Sequence, residues 1–327
     1  MQKLITFPSK KAFSFCLDCL KKNELLKLNT RQCGALRTVI VPEDDVEEFR
    51  KLIGKNKYQV SENVQVRLHR TDEVPWGVER VGAPNYWNQT QGQGIKVAVI
   101  DTGISSRHPD LRGQVKGRLV TANEGMGYAQ MEGHGTHVAG TIAAVANKKG
   151  IVGVAPAVEL YDIRAFGPDG TASIADIVEG INWAVENGMH IINMSFGTSE
   201  NNYAMQNAIK QAARAGIIMV ASAGNNGGAL EYPAAYKEVV AVGAIDKENK
   251  LASFSSRGRG MNVVAPGVGI KSTWTNGTYR VLDGTSMAAA HISGLYALML
   301  ANQNKGRGRQ ILRGYGRVFK NAGRAPS

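Results

Sequence analysis

Apolar residues in the middle of the chain follow two patterns that alternate along the sequence. Near-continuous apolar runs, typical of strands buried on both faces, occupy residues 95–100, 190–195, 217–223 and 239–245. Helical spacing marks residues 134–146, 173–187, 202–215 and 286–301. This alternation predicts an α/β fold, with a mostly parallel sheet that is covered by helices on both faces. In such sheets, functional groups gather where strands end and helices begin.

The first 70 residues follow a different pattern. Their apolar positions predict, in order, a strand, a helix, two strands, a helix and a strand, at residues 4–7, 9–22, 24–28, 37–41, 43–53 and 58–68. The order βαββαβ is that of a small ferredoxin-like α+β domain. A polar, Pro-limited segment at 69–75 follows. We therefore predict two domains, residues 1–70 and residues 71–327.

The positive charge is confined to the two flanks of the chain. The net charge is +12, of which residues 1–70 contribute +6 and residues 301–327 contribute +7, whereas residues 71–300 carry −1. The central region is therefore nearly neutral, and it has no basic motif interleaved with aromatic residues. This distribution weakens a nucleic-acid function. No apolar run approaches the roughly 18 residues that a membrane span requires, so we predict no span.

The three cysteines, Cys16, Cys19 and Cys33, all lie in the first domain. An odd number argues against a closed disulfide framework. Cys16 and Cys19 form a CxxC, but no second CxxC and no nearby histidine pair accompany it. Two small apolar residues on one helix face are therefore a better interpretation than a zinc site.

Three polar residues stand at the predicted junctions of strands and helices. Asp101 ends an apolar strand, while His134 and Ser286 each open a helix rich in small residues. Taken singly, Asp101 would be a turn former, His134 a surface residue or helix cap, and Ser286 an N-cap. Together they can perform nucleophilic catalysis. Histidine takes the proton of the serine hydroxyl and returns it to the leaving amine, while the carboxylate holds the imidazole in the right tautomer.

A donor for the developing oxyanion completes this chemistry. Asn225 lies in the turn ASAGNNG (221–227), directly after an apolar strand. Its side-chain amide and the backbone N–H of Ser286 could both donate to a negative oxygen. Taken alone, Asn225 also fits an ordinary turn residue.

At this point the sequence resembles a known family. The blocks DTGI (101–104), GHGTHVAGTIAA (133–144), NMSFG (193–197), ASAGNNG (221–227) and GTSMAAAH (284–291) are similar to the signature segments of the subtilisin family of serine endopeptidases. The resemblance runs from about Val74 to Leu300. It implies a doubly wound α/β fold, a triad of Asp101, His134 and Ser286, and Asn225 in the oxyanion hole. His137, one turn further along the helix, is expected to pack against the core.

The resemblance also implies a substrate cleft in which an extended peptide adds as a strand. Its matching residues are Gly170, Thr171, Ala172, Ser195, Phe196, Gly197, Ala223, Gly224 and Glu231, and Pro233 matches a cis-proline. Relatives often have a small residue where this chain has Glu231. A carboxylate at the pocket base would favour Lys or Arg at P1, and the alternative is a side chain that points to solvent.

A structural calcium site is similarly implied. Its expected ligands are carboxylates, an amide and backbone carbonyls from Asp72, Asp110, Val145, Asn147, Lys149 and Ile151. Such a set of oxygen ligands suits Ca²⁺. No cofactor is expected for catalysis.

The first domain resembles the inhibitory pro-domain of the family. We therefore expect a zymogen that cleaves itself near Arg70–Thr71 and a mature enzyme that is a monomer acting on protein or peptide substrates. The N-terminal stretch is not a recognisable signal peptide, because Pro8, Lys10, Lys11 and Asp18 interrupt its apolar residues. Localisation therefore stays open between export, which this type of pro-domain favours, and the cytoplasm.

Two segments depart from the family pattern. The region after Leu300 is short and basic, with a possible terminal strand at 314–318. Ala289-Ala290 stands where relatives usually have Ser/Thr-Pro, so acyl-enzyme partitioning between water and amines could differ.

The alternatives to an endopeptidase are a non-catalytic relative, a nucleic-acid binder, and an aminoacyl-transfer or tripeptidyl specialisation.

Overall fold

The computed structural model describes residues 2–64, 71–122, 133–167 and 169–303. The chain divides into two units, residues 1–69 and residues 70–327. The basic tail that we singled out at 314–318 lies outside the described residues, as does the expected cleavage position at Arg70.

The first unit is a four-stranded antiparallel sheet with helices. Its elements are β1 (Gln2–Thr6), α1 (Lys10–Leu20), α2 (Glu24–Asn29), β2 (Arg31–Cys33), β3 (Thr38–Pro42), α3 (Val46–Ile53) and β4 (Gln59–Glu62). The strand order is β2-β3-β1-β4, and β3 and β4 flank β1. Its core consists of apolar side chains such as Ile5, Phe49 and Leu20, together with Cys16.

One expectation for this unit was wrong. Residues 24–28, predicted as a strand, form helix α2, and the strand is Arg31–Cys33 instead. The side chain of Asn23 caps the helix by accepting a hydrogen bond from the Leu26 amide at 3.1 Å. Glu24 adds a favourable charge in the first turn. Leu26 is buried, whereas Leu25 and Leu28 are 73% and 79% exposed. The apolar run was therefore a poor indicator of a strand.

The second unit is built on a seven-stranded sheet. Its strands are β5 (Lys96–Asp101), β6 (Val115–Val120), β7 (Glu159–Arg164), β8 (Ile191–Met194), β9 (Ile218–Ser222), β10 (Val239–Ile245) and β11 (Val263–Pro266). The order is β11-β10-β9-β8-β5-β7-β6, and every pairing is parallel. From β5 the chain goes to β6 and β7 on one side of the sheet and then crosses to β8 on the other.

Helices cover both faces of this sheet. The longer elements are α4 (Trp76–Arg80), α5 (His134–Ala143), α6 (Ile174–Glu186), α7 (Tyr203–Arg214) and α8 (Thr285–Gln303), and a hairpin is formed by β12 (Ile270–Thr273) and β13 (Tyr279–Leu282). Side chains of α5 and α8 form one apolar core with the sheet, and side chains of α6 and α7 form another. The doubly wound fold is thereby confirmed. None of the helices in the described ranges has the length and apolar character that a bilayer crossing requires.

Candidate active site

The carboxyl ends of β5 and β8 bring two parts of the candidate site side by side. Register places Ile100 of β5 opposite Met194 of β8. Asp101 and Ser195, the next residue of each chain segment, therefore lie at one edge of the sheet, on neighbouring strands about 4.8 Å apart. Because the order of the strands reverses between β5 and β8, this edge has the crevice in which doubly wound proteins bind ligands.

His134 is held by Asp101. Its Nδ1 lies 2.8 Å and 3.0 Å from the two carboxylate oxygens of Asp101. Helix α5 can come this close because Gly135 has no side chain: a Cβ there would lie 2.6 Å from the Gly103 carbonyl oxygen and 3.0 Å from the Asp101 Cβ. The Gly135 amide also donates to Thr102 Oγ1 at 3.0 Å, which attaches the helix start to the strand end.

This pairing controls the protonation of His134. Burial by itself lowers the pKa of His134, but the charge of Asp101 and its hydrogen bond together raise the pKa above the ordinary 6.5. An imidazole with a raised pKa and a fixed Nδ1–H presents Nε2 as a base, which is the role that general-base catalysis requires.

His137 occupies a different environment. It is fully buried, and its Nε2 lies 3.0 Å and 3.1 Å from the backbone carbonyls of Ile270 and Arg280. Burial lowers its pKa to about 4, so the ring is neutral. Its contacts are those of a core residue, in line with the expectation from the sequence.

Ser286 lies in the first turn of α8 and is buried, with 7% of the residue exposed. Its hydroxyl donates to the Ser195 carbonyl at 3.1 Å. The hydroxyl of Ser195 in turn donates to the Ser286 carbonyl, also at 3.1 Å. In this geometry the hydroxyl proton of Ser286 is therefore directed at the backbone of Ser195.

Asn225 is oriented by the residue that precedes Ser286. Its Oδ1 accepts hydrogen bonds from both the amide and the hydroxyl of Thr285, each at 2.9 Å. Because the carbonyl end is occupied, the Nδ2 end is the one available to a ligand. The exposed position of Asn225 in the turn after β9 is suited to donation into a solvent-accessible cleft.

Glu231 lies across two glycines of the expected specificity pocket. A Cβ at Gly197 would collide with its Oε2, and a Cβ at Gly224 would lie 2.7 Å from its Cδ. Its Oε1 accepts a hydrogen bond from Asn226 Nδ2 at 2.9 Å. Partial burial raises the pKa of Glu231. The carboxylate therefore lies against Gly197 and Gly224, two glycines of the expected pocket, in a half-buried position.

The chain is similar to known proteins over most of its second unit. The profile of the Subtilase family (Peptidase_S8) matches residues 92–315. The chain belongs to this family. Subtilisin Savinase of Lederbergia lenta is 46% identical over 228 residues, covering 69% of this chain and 84% of that protein. M-protease of Shouchella clausii is also 46% identical over 228 residues, but the match covers 59% of its length. Subtilisin E of Bacillus subtilis is 43% identical over 236 residues, covering 61% of its length.

The other expected cleft residues of this subtilase lie near the same strand ends. Residues 169–172 form a turn in which Thr171 donates to Asp169 through its amide at 3.0 Å and its hydroxyl at 2.8 Å, and Gly170 has φ of 78°. The rings of Phe166 and Phe196 lie 5.1 Å apart. Ala172 and Phe196 are partly buried against the core, and Ala223 is fully buried. The Tyr232–Pro233 peptide is cis, as expected.

The candidate calcium loop places its carboxylates against N–H and O–H donors. Asp72 Oδ1 accepts from the amides of Asn147 and Lys149 at 3.2 Å and 2.9 Å. Asp110 is fully buried, and its oxygens accept from Asn147 Nδ2, the Ile151 amide and the Tyr279 hydroxyl. Asp72 thus holds the loop backbone in a way that the sequence did not predict.

The remaining atoms of this loop include one that lacks a partner. Asn147 Oδ1 is buried and accepts no hydrogen bond. Within the described ranges, no cluster of three or more His, Cys, Asp or Glu side chains could hold a metal ion. Any cation here would therefore depend on amide and backbone oxygens together with the two carboxylates, Asp72 and Asp110. A buried, unpaired amide oxygen beside a carboxylate suits Ca²⁺, so the residues fit such an ion.

Four residues that support the site were not singled out from the sequence. Thr285 orients Asn225, and Asn226 holds Glu231. Asn193 donates to the Ser195 hydroxyl and accepts from Ser293. Thr285 and Asn193 lie inside the signature blocks GTSMAAAH and NMSFG, which was the available signal. Ser293 has no local signal except its position seven residues, or two helical turns, after Ser286.

Proposed function

We propose that the chain is a serine endopeptidase that uses Asp101, His134 and Ser286 as a catalytic triad. The pairing of His134 Nδ1 with Asp101 at 2.8 Å is the observation on which this proposal chiefly rests. It supplies an oriented base at the sheet edge where Ser286 lies. A largely buried histidine whose pKa is raised by a specific carboxylate partner is a candidate functional residue.

In the proposed reaction, Ser286 Oγ leaves the Ser195 carbonyl and attacks the substrate carbonyl carbon while His134 Nε2 takes its proton. Asn225 Nδ2 and the Ser286 amide donate to the oxyanion of the tetrahedral intermediate. The C–N bond then breaks, and His134 returns the proton to the leaving amine. Water, deprotonated by His134, hydrolyses the acyl-enzyme and restores Ser286.

The test compares wild type with Ser286→Ala in casein hydrolysis and in labelling by a fluorophosphonate probe. The wild type is expected to hydrolyse casein and to incorporate the probe, and the variant is expected to do neither, although its circular dichroism spectrum should be that of a folded α/β chain. Ser105→Ala, outside the triad, serves as the matched control and should be labelled like the wild type. Absence of labelling in the mature wild type contradicts the proposal.

We further propose that Glu231 gives this enzyme a preference for Lys or Arg at P1. The proposal is supported by the position of the carboxylate over Gly197 and Gly224 and by its tether to Asn226. Oε1 is occupied by Asn226, which leaves Oε2 for a cation. The backbones at 170–172 and 195–197 would bind the extended substrate on either side.

A structural Ca²⁺ ion in the loop of residues 145–151 is the third proposal. Asp72, Asp110, Asn147 and the backbone carbonyls of Val145, Lys149 and Ile151 would hold it, and Asp72 Oδ1 also accepts from the loop amides. When bound, the ion would supply only charge and cross-linking, since the loop contains none of the proposed catalytic residues. The unpaired Oδ1 of Asn147 supports this assignment.

We propose that the first unit is an inhibitory pro-domain that is removed by self-cleavage near Arg70–Thr71. Arg70 at P1 agrees with the cationic preference proposed for Glu231. N-terminal sequencing of the mature protein tests both ideas: a new terminus at Thr71 is expected in the wild type and a single uncleaved chain in Ser286→Ala. Cleavage of the Ser286→Ala chain during its own purification would contradict self-processing.

A further inference from the structure

A continuous chain of hydrogen bonds links a distant turn of α8 to the proposed nucleophile. Ser293 Oγ donates to Asn193 Oδ1 at 2.8 Å, and Asn193 Nδ2 donates to Ser195 Oγ at 2.8 Å. Ser195 Oγ donates to the Ser286 carbonyl at 3.1 Å. We call these four residues the Ser293 network.

The network is buried along its whole length. Ser293 and Asn193 are 0% exposed, and Ser195 and Ser286 are 6% and 7% exposed. Asn193 lies in the central strand β8, whose other three residues are apolar. A buried polar group costs about 1–3 kcal/mol when its partner is removed. Asn193 is therefore tolerated at this position because both ends of its amide are paired.

The three bonds run in one direction, from Ser293 through Asn193 and Ser195 to the Ser286 carbonyl, and the Ser286 hydroxyl donates back to the Ser195 carbonyl. Each hydroxyl proton in the network is therefore donated to another member, and turning any of these hydroxyls breaks a bond. Ser286 and Ser293 lie on the same face of α8, about 10.5 Å apart along its axis. The network thus attaches this helix to the end of β8 at two points, one of which is the nucleophile itself.

Packing around Ser286 cannot supply this restraint. Ala288, Ala289 and Ala290 are fully buried and contribute only van der Waals contacts, which have little directionality. Ser195 contacts Ser286 twice, since its hydroxyl binds the Ser286 carbonyl and its own carbonyl accepts the Ser286 hydroxyl. The position of Ser195 therefore determines where the Ser286 hydroxyl rests.

We propose that Ser293 and Asn193 are positioning residues that act on the nucleophile through Ser195. The proposal rests on the proposed peptidase function of Ser286. Loss of the Ser293 hydroxyl frees Asn193 to rotate, Ser195 loses its donor, and Ser286 Oγ samples positions from which attack is less favourable. A misplacement of about 1 Å can reduce a rate up to about 100-fold, so we expect a smaller but measurable effect from one bond.

The experiment uses the full chain with Ser293→Ala and an active-site titration to count competent sites. On a peptide p-nitroanilide we expect kcat to fall about tenfold with KM unchanged within twofold. The second-order rate of fluorophosphonate inactivation should fall by the same factor, because it requires the same attack by Ser286. The acidic limb of the pH–rate profile should not move, since Asp101 and His134 lie outside the network.

Thr141→Val is the matched control. Thr141 lies two turns after His134 on α5, is 2% exposed, and its hydroxyl donates to its own helix at the His137 carbonyl. This substitution removes a buried helix hydroxyl without cutting any bond to the nucleophile. We expect Tm to fall while kcat per titrated site stays unchanged.

A double-mutant cycle with Ser195→Ala keeps the test independent of stability. If the network acts through Ser195, Ser293→Ala has no further effect on kcat in the Ser195→Ala background. Additive effects, or a Ser293→Ala enzyme with wild-type kcat and inactivation rate, would overturn the inference while leaving the peptidase proposal intact. An inactive, unlabelled wild type would overturn both.

Discussion

The charge of Glu231 offers the sharpest test of substrate preference. Glu231→Gln removes the charge but keeps the oxygen that accepts from Asn226 Nδ2, so the geometry of the pocket should be retained. A unit charge pair 4 Å apart is worth about 4 kcal/mol at an effective dielectric constant of 20. Exposed pairs are worth about 0.2–1 kcal/mol.

Glu231 is half-buried, so its interaction with a P1 cation should lie between these limits. A value of about 2 kcal/mol corresponds to roughly 30-fold in kcat/KM. The assay compares two tetrapeptide p-nitroanilides that differ only in having Arg or Phe at P1. We expect the Arg-to-Phe ratio of kcat/KM to fall about 30-fold in Glu231→Gln.

Two controls accompany this measurement. Glu248→Gln makes the same change of charge in an exposed loop and should leave the ratio unchanged. The Arg preference requires the ionised carboxylate, so it should be lost as the pH falls through the raised pKa of Glu231, above the ordinary 4.5. Equal wild-type rates on the two substrates, or a ratio that survives the substitution, would refute the assigned role.

Three other expectations concern the pairing of Asp101 with His134, helix α8, and the candidate calcium loop at 145–151. Asp101→Asn should lower kcat by about 10⁴-fold. The acidic limb of the pH–rate profile should also move to lower pH, because burial without the Asp101 charge lowers the pKa of His134. An acidic limb that does not move would contradict this coupling. Ala290→Pro should change the ratio of aminolysis to hydrolysis when an amino-acid amide competes with water for the acyl-enzyme, and identical partitioning would remove the idea. Chelation of Ca²⁺ should lower Tm by roughly 5–10 °C, as loss of a ligand bound at about 100 times its Kd implies. Asn147→Ala should abolish that response, and a chelator that leaves the wild-type Tm unchanged would count against the ion.

The sheet of the second unit was predictable because its central strands are continuous apolar runs. The runs at 95–100, 217–223 and 239–245 are apolar on both faces, as a strand between two helical layers must be. Edge strand β6 alternates exposed and partly buried residues, and β7 carries the buried Asp162, so neither was expected. Their assignment depended on neighbours that are distant in the sequence.

The residues of the proposed site fall into the same two groups. Asp101, His134, Asn225 and Ser286 could be named because each occupies a strand–helix junction within a recognisable block. The partner of each was less visible: Thr285 lies beside Ser286 in sequence, yet its role depends on Asn225, which lies 60 residues earlier. Hydrogen bonds across such separations are fixed by folding and leave no periodic pattern.

The sequence by itself determined the fold class, the family blocks and the residue types of the proposed catalytic centre, because these depend on local periodicity and on neighbours along the chain. The tertiary structure alone decided that the Glu231 carboxylate lies over Gly197 and Gly224 and that the Ser286 hydroxyl rests on Ser195. Both outcomes depend on close backbone approach or on long-range hydrogen bonding. Such interactions acquire their energy only when distant segments meet, so no short stretch of sequence carries them.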